Sequence, residues 1–336
     1  MVMTPGGYVF TDYVKFGVPL NVLAMTLTVV ISYFAFPFPS SASNTVAANV
    51  AAYPELSTLY VALNSQPMQG LWAQLNNQTA RLTLFGPSNL AFDAYGPLPG
   101  YEALIPVVEY AIVTDAVATT DLARYDVLRT SLTDPAWVHL GDGVGQVVAV
   151  DVDGDGNVRL ASGVPGDPAT TATVTRRDIA SSNGYLDIVG TVLPPPAPLL
   201  AVAERAGLTT LLEALGQVGL DVTLNDTPAI TLFAPTNDAF AAVPDWRERA
   251  DLEVLMRYHV AEGAYYAPDL TDGAVLPSYL GGGAYLTVNV TETGALTLNS
   301  GSTTVTVRNA LTENGVIHII DRLLLEPLPS SGSIAL

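Results

Sequence analysis

Hydrophobic and polar positions change period along this chain, and they do so twice in the same order. Leu252, Leu255, Met256 and His259 fall at the i, i+3, i+4, i+7 spacing of one helical face, and Leu104, Val107, Val108 and Ala111 repeat that spacing in the first half. From Tyr285 the period drops to two, with Leu286, Val288 and Val290 alternating against Thr287, Asn289 and Thr291 as in a half-buried strand. Leu296, Leu298, Val305 and Val307 carry the strand signal past a turn at 292–295. Residues 316–325 are apolar apart from His318, Asp321 and Arg322, the pattern of a strand covered on both faces. Ahead of these, 199–219 predicts one or two short helices with Thr209 or Thr210 as N-cap, and 229–234 a short apolar strand. Helices come first and strands later, so the fold class is α+β.

The order repeats because the chain is duplicated. TLFGPSNLAF at 83–92 recurs as TLFAPTNDAF at 231–240, an offset of 148 that Tyr110 and Tyr258 keep. SNGYLDIVG at 182–190 matches ENGVIHIID at 313–321, where the offset from Asn183 to Asn314 is 131, so the first copy is longer between the two landmarks. A domain-length period means tandem domains, not a solenoid of short units. Within the first motif Pro235 ends the strand, Thr236 or Asn237 caps the next helix, and Asp238 suits its positive end. The motif is thus a strand-to-helix corner, and its chemistry specifies fold.

An apolar strand running into LFAPTNDAF, a helix ending RYHV, and NGVIHIID before a Pro-rich exit are similar to the fasciclin domain. The second copy follows the pattern closely; the first is degenerate, with Gly86, Ser88 and Leu90 in place of Ala234, Thr236 and Asp238. The resemblance covers 53–194 and 199–327 and implies two tandem fasciclin-like domains, each with helices packed on a β-sheet wedge. It also implies an adhesive role and draws attention to the Tyr-His pair that the family links to adhesion, here Tyr258 and His259. Periodicity places His259 on the core-facing stripe as a hydrogen-bonded buried side chain. Ala111 replaces it in the first copy, so any direct use of the histidine belongs to the second copy alone.

The remaining layout is an anchor or signal segment at 1–42, a small polar linker at 43–52, a Pro-rich linker at 195–198 that favours extended spacer geometry, and a tail at 328–336. No charge occurs between Phe16 and Pro54, and 18–38 is long enough to cross a bilayer as a helix after Lys15. Tyr33, Phe34, Phe36 and Phe38 crowd its far end like an interfacial belt. Ser40 and Ala42 fit positions −3 and −1 of a signal-peptidase site, so a cleaved signal stands as the alternative to the anchor that the length of the stretch favours. Residues 6–23 are similar to the start of the last membrane helix of divalent-anion/sodium symporters, through Gly7, Tyr8, Phe10, Asp12, Tyr13, Gly17, Pro19 and Leu20. Alternating access needs many helices, so this likeness suggests a recruited anchor, a fusion remnant or a mis-called start.

Composition narrows the partners. Of 336 residues 49% are hydrophobic and 13% charged, which argues for folded domains. The net charge of −19 is shared evenly by the two copies, and with no basic patch to follow a phosphate backbone nucleic acid is not an expected partner. The absence of cysteine removes disulfides and thiolate chemistry. No nucleophile elbow, phosphate loop or zinc-protease motif occurs, and His139, His259 and His318 are scattered, so neither an enzyme nor a cofactor is expected. One segment tempts a metal: in DVDGDGNV, Asp151, Asp153, Asp155 and Gly156 match the first half of a calcium loop, but Ser162 stands where its bidentate Glu belongs. The same residues align with the 283–301 hairpin of the second copy, so a solvated turn and a weak calcium site are both open.

The expected function is a membrane-anchored or secreted envelope protein contacting a macromolecular surface ligand, protein or polysaccharide, with membrane contact through the N-terminal helix. An envelope module for a small molecule or divalent cation is the alternative, and a symporter fusion remnant the third.

Overall fold

The computed structural model describes residues 43–97, 100–122, 126–299 and 301–325, so the apolar segment 18–38 and the tail lie outside the described residues. Among the described residues no helix is long and apolar enough to cross a membrane.

The first domain opens with helices α1 (Val46–Ala52), α2 (Ser57–Leu63) and α3 (Gln69–Asn76). Strand β1 (Leu82–Pro87) leads through the corner into α4 (Asn89–Tyr95) and then α5 (Ile105–Ala111). The remaining strands are β2 (Ile112–Val113), β3 (Val127–Arg129), β4 (Val147–Val152), β5 (Val158–Ala161), β6 (Thr171–Ser181) and β7 (Gly184–Val189). The second domain repeats the plan with α6 (Leu199–Arg205), α7 (Thr209–Gln217), α8 (Asp221–Asp226), β8 (Ile230–Pro235), α9 (Asn237–Ala241) and α10 (Leu252–Tyr258). It closes with β9 (Val260–Glu262), β10 (Val275–Pro277), β11 (Tyr285–Val290), β12 (Leu296–Leu298), β13 (Thr303–Thr312) and β14 (Gly315–Ile320).

Among the described residues the strands of each domain form one seven-stranded sheet, ordered β2-β1-β7-β6-β5-β4-β3 and β9-β8-β14-β13-β12-β11-β10. The β1/β7 and β8/β14 pairs are parallel and the ladders on either side of them antiparallel. These central strands are buried on both faces, because the sheet separates two cores. Ile230, Leu232 and Ala234 point into the helical core with Leu211, Leu215 and Met256, while Phe233 points into a second core with Tyr258, Leu286, Val288 and Leu298. The first domain divides identically, with Leu84 on the helical side and Phe85 on the other. The alternation seen at 286–290 is the lining of that second core.

The duplicated Asn-Gly now has a physical reason. A Cβ on Gly184 would sit 1.7 Å from the Leu82 carbonyl oxygen, and one on Gly315 would sit 1.8 Å from that of Ile230, so only glycine lets the parallel strands meet. The asparagines are clamps: Asn183 Nδ2 donates to the carbonyls of Leu75 and Asn77, and Asn314 Nδ2 to those of Leu224 and Thr227. Each ties the start of the last strand to the helical layer.

Three expectations need correction. Residues 43–52 are not a linker, because α1 belongs to the first domain, with Val46, Ala47 and Val50 buried in its core and the Thr45 hydroxyl capping it by accepting from Ala48 N–H at 3.2 Å. Its small side chains gave a weak periodic signal. Neither Thr209 nor Thr210 caps α7; Asn237 Oδ1, delivered by the corner, accepts from Thr210 N–H at 3.0 Å. Asn89 does the same for Thr58 N–H at 2.9 Å, so each corner serves two helices, Ser88 or Thr236 capping its own and the asparagine capping a neighbour's. Finally, Pro195 and Pro196 are buried, and the Pro-rich run is part of a packed seam instead of a free spacer.

Candidate functional site

The Tyr-His pair ends α10. The Tyr258 side chain is buried, its hydroxyl donating to the Tyr285 carbonyl and accepting from Asn299 Nδ2, both at 3.1 Å. Tyr110 makes the equivalent bond to the Val147 carbonyl at 2.8 Å, so the tyrosine staples helix to hairpin in both domains. His259 is wholly buried. Its Nδ1–H donates to the Leu255 carbonyl at 2.8 Å and its Nε2 accepts from Leu324 N–H at 2.9 Å. Both nitrogens are therefore used by a neutral ring, and burial holds its pKa down to about 4. The geometry ties the helix end to the chain leaving β14, and the ring offers no atom to solvent.

What solvent meets near this pair is a groove of about 800 Å³ above Tyr258, edged by the exposed Val254, Tyr285 and Leu325 and by the loop Gly281-Gly282-Gly283. All three glycines have positive φ, between 62° and 80°, which lets the loop turn sharply with no side chain over the groove.

The acidic segment forms the β4/β5 hairpin turn. Asp153 organises it, accepting from Asp155 N–H at 3.0 Å, Asn157 N–H at 2.8 Å and Asn157 Nδ2 at 2.9 Å; these bonds hold its carboxyl below the usual range. Arg159 lies 3.7 Å from Asp151 and 3.4 Å from Asp153. Among the described residues no three His, Cys, Asp or Glu side chains are grouped to hold a metal ion.

A second pair of equivalent positions carries the polar chemistry of each sheet. Both long strands bulge, at Asp178 (φ 54°) and Asn309 (φ 58°). The bulge N–H of Asp178 donates to Asp187 Oδ1 at 2.6 Å, and that of Asn309 to His318 Nδ1 at 3.4 Å. The bulge side chains in turn hold the loop after β2 or β9: Asp178 accepts from the N–H and hydroxyl of Thr119, and Asn309 Oδ1 from Ala267 N–H. Asp187 is fully buried with Oδ2 unpartnered, and burial, reinforced by the nearby Asp178 charge, raises its pKa to about 7. His318 donates from Nε2 to the Tyr265 carbonyl at 2.9 Å, and burial lowers it to about 4.

Periodicity gave no sign of how the domains dock. Val147, Ala149 and Ala161 of the first pack against Tyr266, Leu311 and Val316 of the second. Backbone bonds cross the seam from Ala229 N–H to His139 O, His139 N–H to Glu313 O and Leu311 N–H to Gly163 O. Gln146, wholly buried, donates across it to Thr312 O at 3.2 Å. Polar residues of the first copy, His139 and Gln146 among them, sit at this interface.

The fasciclin domain model matches residues 54–195 and 206–326. A fasciclin-like arabinogalactan protein of Arthroderma benhamiae is 28% identical over 82% of this chain and 65% of its own length. Human periostin is 27% identical over 74% of this chain and 27% of its own, so the chain spans less than two thirds of either relative. A solved fasciclin domain pair from the insect cell adhesion molecule fasciclin I aligns at 20% identity with a TM-score of 0.39, covering 81% of this chain and 97% of that one. With both halves matched, the chain belongs to the fasciclin domain family.

Proposed function

We propose that this protein is an extracytoplasmic binding protein that contacts macromolecules of a cell surface or matrix, protein or polysaccharide, through its fasciclin pair. Fasciclin domains occur in adhesion and extracellular-matrix proteins, which supports a binding role. Residues 18–38 would hold it at a membrane, or cleavage after Ala42 would release it. The observation that carries the reading to a face is the groove over Tyr258, where Val254, Tyr285 and Leu325 stay exposed beside a glycine loop. Apolar side chains gathered around a rigid, hydrogen-bonded floor are what a docking surface needs. On this reading Tyr258 and His259 act from below, fixing the floor and the strap that carries Leu325, and the exposed ring of Tyr285 makes the contact.

Attachment of cells and of matrix preparations to immobilised protein tests it. Tyr285→Ser and Leu325→Ser alter exposed side chains and leave the hydrogen bonds beneath intact; each is expected to lower attachment several-fold with unchanged thermal unfolding. Attachment no better than to an acidic control protein would remove the reading.

A further inference from the structure

We infer that the cleft between the two domains is a second binding site, for a carboxylated sugar of a uronate-containing polysaccharide. The site deepens the reading of the protein as a matrix-contacting module but lies apart from the Tyr258 face. The cleft has a volume of about 390 Å³ and is walled by β4, β5 and β6 of one domain and by Thr306, Val307, Arg308 and Asn309 of the other. That volume falls within the range of small-ligand sites. It exists only because the domains dock, so neither module has it alone.

Comparison of the two copies isolates its key group. Arg308 stands where Arg177 stands in the first domain. Arg177 donates to the Gly156 carbonyl of the acidic turn at 2.7 Å. The second copy has Thr-Glu-Thr-Gly in place of that turn. Arg308 is exposed, lines the cleft, and makes no ion pair with any described residue. In a chain of net charge −19 with 13 basic residues, an unpaired guanidinium facing a cleft is a marked feature. Across the cleft, Arg159 is already matched by Asp151. Asp126 also lines the cleft, together with Thr171 and with Thr306, whose hydroxyl donates to the Ile319 carbonyl at 3.2 Å.

One free guanidinium suits one carboxylate, held by charge-assisted hydrogen bonds. The Asp126 carboxylate suits the hydroxyl groups of the same ligand, which can donate to it. A uronic acid carries both on one ring. Densely sulfated or phosphorylated chains would place further anions against Asp126 and Asp151, in a protein already strongly negative, and are disfavoured. Neutral sugars leave the guanidinium unmatched.

Calorimetric titration of the full chain with a galacturonate trisaccharide tests the site, against the same trisaccharide with carboxyls reduced to alcohols and against a sulfated one. Saturable binding of the uronate is expected, weaker by about tenfold or more for the other two, the worth of a charge-assisted hydrogen bond. Arg308→Gln should weaken uronate binding by a similar factor, whereas Arg247→Gln, an equal charge change at a guanidinium paired with Glu213 in the helical layer, should not. No saturable heat with the uronate, equal binding of the reduced sugar, or full binding by Arg308→Gln each overturns the site. If the wild type attaches to cells but ignores the uronate, only this inference falls; if it binds the uronate and attaches to nothing, the attachment reading falls and this site stands.

Discussion

The two domains agree in strand order, corner, clamp and bulge, yet one central buried position holds Asp187 in the first and His318 in the second. Both side chains accept a hydrogen bond from the bulge N–H, so the fold demands an acceptor there and not a particular residue. The consequence is opposite titration. Burial disfavours the charged form of either group, which raises an acid and lowers a base. Asp187 is lifted to about 7, so its share of stability is complete below the ordinary carboxylate range and is lost as pH rises through 7. His318 and His259 are lowered to about 4, so theirs is complete above the ordinary histidine range and is lost as pH falls through 4. In one chain, the first copy of the fold thus loses stability as pH rises to neutrality and the second loses it as pH falls into the acid range.

The harshest way to break the likeness is at the glycines. Gly315→Ala should remove the cooperative transition of the second domain, since the clash is with backbone; an effect of about 4 kcal/mol or more is expected, read by hydrogen exchange in β8 and β14. Normal protection there would refute the close approach. Next is His259→Ala, which leaves a cavity and the Leu324 N–H without its acceptor: a loss of about 2–4 kcal/mol is expected. The corresponding Ala111 shows that the first domain lives without this tie, so the loss should be confined to second-domain probes.

Smaller, but most telling for the comparison, is Asp187→Asn. Its amide oxygen can still accept from Asp178 N–H without carrying charge. The variant should gain on the order of a few kcal/mol over wild type at pH 8, gain little at pH 3, below the ordinary carboxylate range, and leave the acid limb untouched. Denaturation across pH with probes in each domain decides this, and a parallel profile for both proteins would count against the buried carboxylate. The smallest pair is Ser88→Ala and Thr236→Ala. Each removes an equivalent cap and should cost about 1 kcal/mol, equally in both domains if the corners are energetically alike.

Much of the fold was legible because the signals were local. Leu252, Leu255, Met256 and His259 share a face through helix geometry alone, and Leu286 and Val288 through strand geometry. Pro235 and Thr236 act within a few residues of themselves. The buried place of His259 followed from its stripe, and the hairpin at 151–158 from its turn residues. The dual service of Asn237 was not legible, since Thr210 is a neighbour only after folding; nor was α1, whose small side chains carry little periodic contrast. The candidate site was harder still: the exposed Tyr285 and Leu325 flank Tyr258 only because β11 and the chain after β14 converge on α10.

The sequence by itself determined the module, its duplication and its element order, because backbone geometry acts over a few residues and was written out twice. Tertiary structure alone decided that the Pro-rich run is a packed seam, that Arg308 faces a cleft while Arg177 meets its own turn, and that Asp187 and His318 are sealed from water. Those outcomes depend on which distant surfaces exclude solvent together, and only the folded chain settles that.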